Sequence, residues 1–122
     1  MKFTAINKNK NFIRAYRKGK SFIGSTVITY VIKNRYGYTR IGITSSKKIG
    51  CAVKRNRSRR VIRAAVRSLN LDMNQGYDII FVARSRTAKA KSYEVASLIE
   101  KQLKEAGVIH AEEDTNLSNQ SI

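Results

Sequence analysis

The sequence predicts a single α+β domain, built on one mixed four-stranded sheet with helices packed mainly on one face. Three observations carry this. The chain has 122 residues, enough for one modest core and too few for two. Residues 52–69 and 92–106 place apolar side chains at helical spacing, and between them lies the run Ile79-Ile80-Phe81-Val82-Ala83, with the length and composition of a buried strand. Upstream, residues 20–46 are rich in β-branched and aromatic types and broken by Gly24 and Gly37. The element order is α-β-β-β-α-β-α, which a sheet covered by helices accommodates.

Taken in order, residues 1–8 are polar and basic and are expected to be frayed. Asn7 or Asn9 is positioned to cap a first helix that runs to Lys18, ended by Gly19 in a left-handed conformation. Phe12, Ile13 and Tyr16 share one face of that helix. Strands follow near residues 21–23 and 26–33; in the second, Ile28, Tyr30 and Ile32 project to one side and Val27, Thr29 and Val31 to the other. Asn34-Arg35-Tyr36-Gly37 reads as a turn into a strand at residues 38–46, giving an antiparallel hairpin. Gly50 allows a tight turn before the next helix. After a connection at residues 70–76, residues 77–84 form a central strand. Ser92 caps the final helix, whose buried stripe is Val95, Leu98, Ile99, Leu103 and Ala106, and Gly107 ends it. The expected domain is residues 1–109, with residues 110–122 a mobile C-terminal tail.

Charge is the second strong signal. The formal net charge is +17. Residues 1–71 carry 19 Lys or Arg and no acid, whereas residues 72–122 carry six basic and eight acidic residues. A one-sided field of this size draws the protein to a polyanion. The field centres on residues 47–67, which hold nine Lys or Arg. On a helix from Ala52 to Leu69, Ser58, Val61, Ile62, Ala65, Val66 and Leu69 form one stripe, and Asn56, Arg59, Arg60, Arg63 and Arg67 another. Arg55, Arg59, Arg63 and Arg67 make successive like-charge pairs, each costing roughly 0.2–0.5 kcal/mol. Lys54 and Arg55 also stand at the helix start, where the macrodipole disfavours cations. A helix selected for stability alone would alternate signs, so the repulsion implies an anionic partner. Guanidinium groups grip phosphate bidentately and stack on bases, and Asn56 among them can both donate and accept toward a ribose or base edge.

Several classes are excluded. The single cysteine, Cys51, rules out an internal disulfide framework and a multi-cysteine zinc site. No apolar run approaches a membrane span, which points to a cytoplasmic protein with no membrane partner. The acids Asp72, Asp78, Glu94, Glu100 and Glu105 show no catalytic spacing, Glu94 and Glu105 read as surface charge, His110 is alone, and no phosphate-binding glycine loop is present. The chain by itself is not expected to be a catalyst, and no residue stands out as a metal ligand.

The run from Ser46 to Arg63, with Arg55-Asn56-Arg57 at its centre, closely resembles the signature of the bacterial ribonuclease P protein component. The resemblance extends over residues 7–106, taking in the helix with Phe12 and Tyr16, the strand with Tyr30, the Ile-Ile-Phe-Val-Ala-Arg strand and the last helix. It implies an α/β sandwich with a left-handed crossover through the basic helix. It also implies one subunit of a ribonucleoprotein endonuclease, whose large RNA subunit uses magnesium to hydrolyse precursor tRNA at the mature 5′ end. By position, Lys47, Lys48, Lys54, Arg55, Asn56, Arg57, Arg59, Arg60, Arg63 and Arg67 would contact the catalytic RNA, and Phe12, Tyr16 and Tyr30 would line a cleft for the single-stranded 5′ leader. Arg59 stands where many relatives have lysine, and Cys51 where asparagine is common. Two other classes share the charge: a ribosomal protein or RNA chaperone, and a membrane-surface helix. The signature argues against the first. The small apolar stripe of residues 58–69, needed for the core, argues against the second.

Overall fold

A computed structural model describes residues 4–6 and 8–109. The expected tail at 110–122 and the candidate cap Asn7 lie outside them. The elements are β1 (Thr4–Ala5), α1 (Asn9–Lys18), β2 (Lys20–Ile23), β3 (Val27–Lys33), β4 (Arg40–Ser45), α2 (Ala52–Leu69), β5 (Tyr77–Ala83) and α3 (Ser92–Ala106), with short 3-10 turns at Lys47–Ile49 and Thr87–Lys89. The order α-β-β-β-α-β-α is thus the observed one from α1 onward. The segment expected to fray instead adds the two-residue strand β1, which pairs in parallel with β4.

The sheet order is β1-β4-β5-β3-β2. Its heart is β5, antiparallel to β3 and parallel to β4. The expected hairpin between the two strands flanking Asn34–Gly37 therefore does not form: β5 lies between them. The reason is burial. Ile79, Ile80 and Phe81 are inaccessible on both faces, and only a central position hides such a run. The hairpin that does form joins β2 to β3, with Lys20 opposite Val31 and Ile23 opposite Ile28.

Alternate residues of β5 serve two cores. Ile79, Phe81 and Ala83 join Val27, Val31, Ile41, Ile62, Ala65, Val66, Val95, Ile99 and Leu103 beneath α2 and α3. Ile80 meets Ile6 and Ala15 beneath α1, with Phe12, Tyr30, Ile32 and Val82 at the margin. Two helices cover one face and one short helix the other, so the second face is partly open.

The crossover through α2 is left-handed, and backbone chirality shows it. With α2 toward the viewer and β5 ascending, Ala83 turns its side chain forward, and an L-residue so placed points its carbonyl to the right. That carbonyl accepts the Ser46 N–H at 3.0 Å. Parallel β4 is thus to the right, and the chain moves left as it crosses in front. Only roughly one in fifty such units has this hand.

Three local expectations need correction. Gly19 is extended (φ −79°, ψ 162°), not left-handed. It is glycine because a β-carbon there would lie 2.6 Å from the Ala15 carbonyl oxygen and 3.0 Å from that of Val31. Asn9 is the first helical residue, not the cap: Lys8 holds the cap position and provides no side-chain bond. Likewise Ser92 opens α3 after Lys91, whose N–H donates to the Glu94 carboxylate at 3.2 Å, so Glu94 is a capping group and not idle surface charge.

Candidate nucleic-acid interface

The basic helix spans Ala52–Leu69, as its apolar spacing predicts. Ser58, Ile62, Ala65 and Val66 are buried, and the polar stripe faces outward. Asn56, Arg60 and Arg67 are exposed, with Arg59 and Arg63 half-buried between them. Asn70 ends the helix in the left-handed region (φ 50°).

Arg59 sets the geometry at the upper end. One terminal nitrogen donates to Ser45 Oγ at 2.9 Å and the other to Asn56 Oδ1. The first bond ties α2 to the end of β4. The second occupies the Asn56 oxygen and leaves its NH2 group as the outward donor. Arg55 departs from the expected row. It is half-buried, its Nε is shielded from solvent without a hydrogen-bond partner, and its carbonyl accepts from Ser58 Oγ at 2.8 Å. Lys54 is exposed but stands about 140–180° from Arg59 and Arg63, and exposed Arg57 lies about 60° beyond Arg60, at the margin of the row. The contiguous surface row is therefore Asn56, Arg59, Arg60, Arg63 and Arg67.

Lys47 and Lys48 extend the positive surface beyond β4. Both are exposed on a 3-10 turn pinned by buried Ile49, and Ser46 Oγ accepts the Lys48 N–H at 3.2 Å. Gly50 then turns the chain with φ 96°, a conformation that favours glycine. Cys51 holds the cap position of α2, fully exposed. The Lys54 N–H lowers its thiol below the ordinary value; desolvation opposes this, and the Lys54 charge adds to the lowering.

Phe12, Tyr16 and Tyr30 do come together on the open face. The rings of Phe12 and Tyr16 lie 6.4 Å apart, and Tyr30 meets Tyr16 edge-on at 4.9 Å. Desolvation, then the proximity of Tyr30, raises the Tyr16 hydroxyl above its ordinary value. A hollow of about 280 Å³ opens beside them, lined by Asn9, Phe12, Tyr16 and Thr44. Tyr30 is not on its wall: half-buried against the Ile80 cluster, it supports Tyr16 from behind. Neither Asn9, read from the sequence only as a helix cap, nor Thr44 is a groove residue in the sequence reading. Thr44 was accessible to period-two reasoning, since Gly42 and Thr44 alternate with apolar Ile41 and Ile43 and so share the α1 face. Thr44 faces the α1 side of the sheet and the next residue, Ser45, which Arg59 holds, faces the α2 side, so the aromatic hollow and the arginine row flank the same end of β4 from opposite faces. Nothing among the described residues groups three or more metal-ligating acids, cysteines or histidines, and no described helix is long and apolar enough to cross a membrane.

Comparisons with known proteins show which family has this sequence and fold. The family model described as Ribonuclease P matches residues 1–107. A ribonuclease P protein component of Clostridium botulinum strain 657 is 40% identical over 109 residues, covering 88% of this chain and 98% of its own. One from Caldanaerobacter subterraneus is 37% identical, covering 92% and 97%. The structure of the Staphylococcus aureus RNase P protein superposes with a TM-score of 0.72 at 33% identity, covering 89% of this chain and all of that one. The Thermotoga maritima RNase P protein, at 23% identity and a TM-score of 0.69, shares the fold. With the family matched almost end to end, and relatives of this identity covered over nearly their whole length, the chain belongs to the ribonuclease P protein family.

Proposed function

We propose that this chain is the protein subunit of a ribonucleoprotein endonuclease that removes the 5′ leader from precursor tRNA in the cytoplasm. The arginine row of α2, with Lys47 and Lys48, binds the catalytic RNA. The groove beside Phe12 and Tyr16 holds the single-stranded leader. Phosphodiester hydrolysis belongs to the RNA subunit and its magnesium; this chain supplies grip and position. One observation carries the reading: stacking rings on an open sheet face and a row of guanidinium groups flank the same end of β4, with Thr44 at the rings on one face and Ser45, held by Arg59, on the other. Aromatic faces take unpaired bases while cations follow the backbone, and that pairing suits single strands of little sequence preference.

The protein's contribution is electrostatic as well as geometric. Bringing a leader alongside the catalytic RNA juxtaposes two polyanions, and cations between them reduce the repulsion that magnesium would otherwise have to screen. Combining the protein with catalytic RNA and assaying leader removal at low magnesium tests the proposal. Cleavage at the mature 5′ end is expected to require both components. Equal cleavage with and without the protein, or co-sedimentation with ribosomal subunits and no stimulation, would overturn it.

A further inference from the structure

A second hollow lies on the opposite flank of α1. It measures about 510 Å³ and is lined by Arg14, Lys18, Arg35 and Tyr36. Arg14 and Lys18 fall about 120–160° around the helix from Phe12 and Tyr16, so α1 separates this hollow from the aromatic groove. Neither Lys18 nor Arg35 is paired with an acid among the described residues.

The wall of this hollow is organised from below by Asp78, whose side chain is 1% exposed. Arg40 Nε and Nη2 donate to its two oxygens at 2.9 and 2.6 Å, and Asn34 Nδ2 donates to it at 2.8 Å. Arg14 Nη1 stands 4.0 Å from the same carboxylate, while its Nη2 donates to the Lys33 carbonyl at 3.3 Å. Asn34 also accepts the Tyr36 N–H at 2.9 Å and donates to the Tyr38 carbonyl at 3.0 Å. The connection from β3 to β4 is thereby fastened to a buried charge. Arg40, so held, lies 4.3 Å from the centre of the Tyr36 ring. Tyr36 is nevertheless 54% exposed, and the Tyr38 ring lies 5.7 Å away, tilted 39°.

The result is an exposed aromatic ring backed by a fixed guanidinium, beside three further cations, with the sole acid of the cluster hidden beneath. Holding three cations around one hollow, with Lys18 and Arg35 unpaired among the described residues, costs repulsion that a solvated surface would avoid by dispersing them. An aromatic ring already backed by arginine loses little freedom when a base stacks on it. We propose that this hollow is a second binding site for unpaired RNA, with a base on Tyr36 and phosphates on Arg14, Lys18 and Arg35. Asp78 is a positioning residue that fixes Arg40 under the ring. The inference rests on the chain's being an RNA binder but not on the leader groove.

Titration of the full-length, isotope-labelled protein with a short oligouridine at physiological salt tests it by amide shifts. The amides of Tyr36, Gly37 and Tyr38 are expected to move as a set separate from those of Tyr16 and Thr44. Tyr36→Ala should weaken the first set roughly five- to a hundredfold, the range of an aromatic–base stack, and leave the second unchanged. Arg35→Ala, at an exposed position with no packing role, should weaken the same set without altering the melt. Movement of the Tyr16 and Thr44 amides alone would overturn this site and leave the leader groove standing. Two further arms identify the source. Loss of affinity by Tyr36→Ala for precursor tRNA alone assigns the site to the substrate, and loss for catalytic RNA alone assigns it to the RNA subunit. Undiminished affinity for both, or anionic vesicles bound as tightly as RNA, would overturn it.

Discussion

Phe12 fills the space that a side chain at position 42 would need: a β-carbon on Gly42 would lie 3.0 Å from Cε1 and Cζ of the Phe12 ring. The ring therefore lies close against β4 and is half-buried, with the rest of its surface lining the groove. Gly42→Ala should push the ring outward and cost about 1–3 kcal/mol, as overpacking does. A double-mutant cycle with Phe12→Ala checks this. The pair should show coupling of at least about 0.5 kcal/mol in urea unfolding, because the added methyl has room once the ring is gone. Additive losses would mean that the backbone, not Phe12, absorbs the methyl.

The two helices with long apolar stripes were legible because their burial follows 3.6-residue spacing from Ser58 to Leu69 and from Val95 to Ala106. Strand pairing was not. Local sequence predicts that the strands flanking Asn34–Gly37 pair, yet the Ile79–Phe81 run gains more by entering between them, and no short-range pattern encodes that insertion. The aromatic residues of the groove were legible by type but not by role, since Tyr30 lies on a face with Ile28 and Ile32 whether it supports or lines. The Asp78–Arg40 pair was invisible in the sequence, being 38 residues apart and joined only when β4 and β5 align with Arg40 opposite Asp78.

Gln102 shows the same long reach in a form that tests stability. It is buried on α3; its oxygen accepts from Thr29 Oγ1 at 2.6 Å and its nitrogen donates to the carbonyls of Phe22 and Val27 at 2.9 and 3.1 Å. Gln102→Ala would leave the buried Thr29 hydroxyl without its acceptor and remove one bond from each of two carbonyls, of which Val27 keeps the Gly24 N–H at 3.0 Å. The expected cost is about 3 kcal/mol, read from denaturant unfolding. RNA affinity measured well below the melt should not change, since the residue lies under α3 and away from both hollows.

The exposed arginines of α2 should behave as phosphate contacts. Replacing Arg60 and Arg67 by Ala removes charge but little packing. The salt dependence of catalytic-RNA binding should therefore become shallower by roughly 0.7–0.9 in log–log slope per lost contact. Stability should hold or rise slightly as like-charge repulsion falls. Arg59→Ala should differ, since it also breaks the bond to Ser45: RNA binding and the melting temperature should both fall. An Arg59→Ala protein with an unshifted melt would show that the Ser45 bond adds no stability.

Cys51 offers a chemical probe of the same helix. Its thiol is lowered by the Lys54 N–H and charge, and a lowered value means a larger thiolate fraction at any given pH. Alkylation of the folded protein should therefore reach half its maximal rate at a lower pH than alkylation of the urea-unfolded chain. Bound catalytic RNA should slow the reaction, by covering the helix start and by placing negative charge beside the thiolate. Identical profiles for folded and unfolded protein would remove the helix start as the cause.

Tyr16 gives the sharpest test of the groove. The residue is 42% exposed, and its ring borders the hollow and is steadied by Tyr30 at 4.9 Å. A base stacked on such a ring contributes about 1–3 kcal/mol, so Tyr16→Ala should weaken binding of precursor tRNA by that amount. Binding of mature tRNA, which has no leader, should be nearly unaffected. Tyr16→Phe should restore most of the affinity, because the stacking face is kept and only the hydroxyl is lost. Tyr30→Ala is expected to act more weakly and in a different pattern: it removes the support behind Tyr16 and some half-buried packing, so its melt should fall while its leader-dependent loss stays below that of Tyr16→Ala. If Tyr30→Ala instead produced the larger leader-dependent loss with an unshifted melt, the base would be stacking on Tyr30, and the wall and its support would have to be exchanged. Equal losses for precursor and mature tRNA in Tyr16→Ala would remove the leader from the groove altogether.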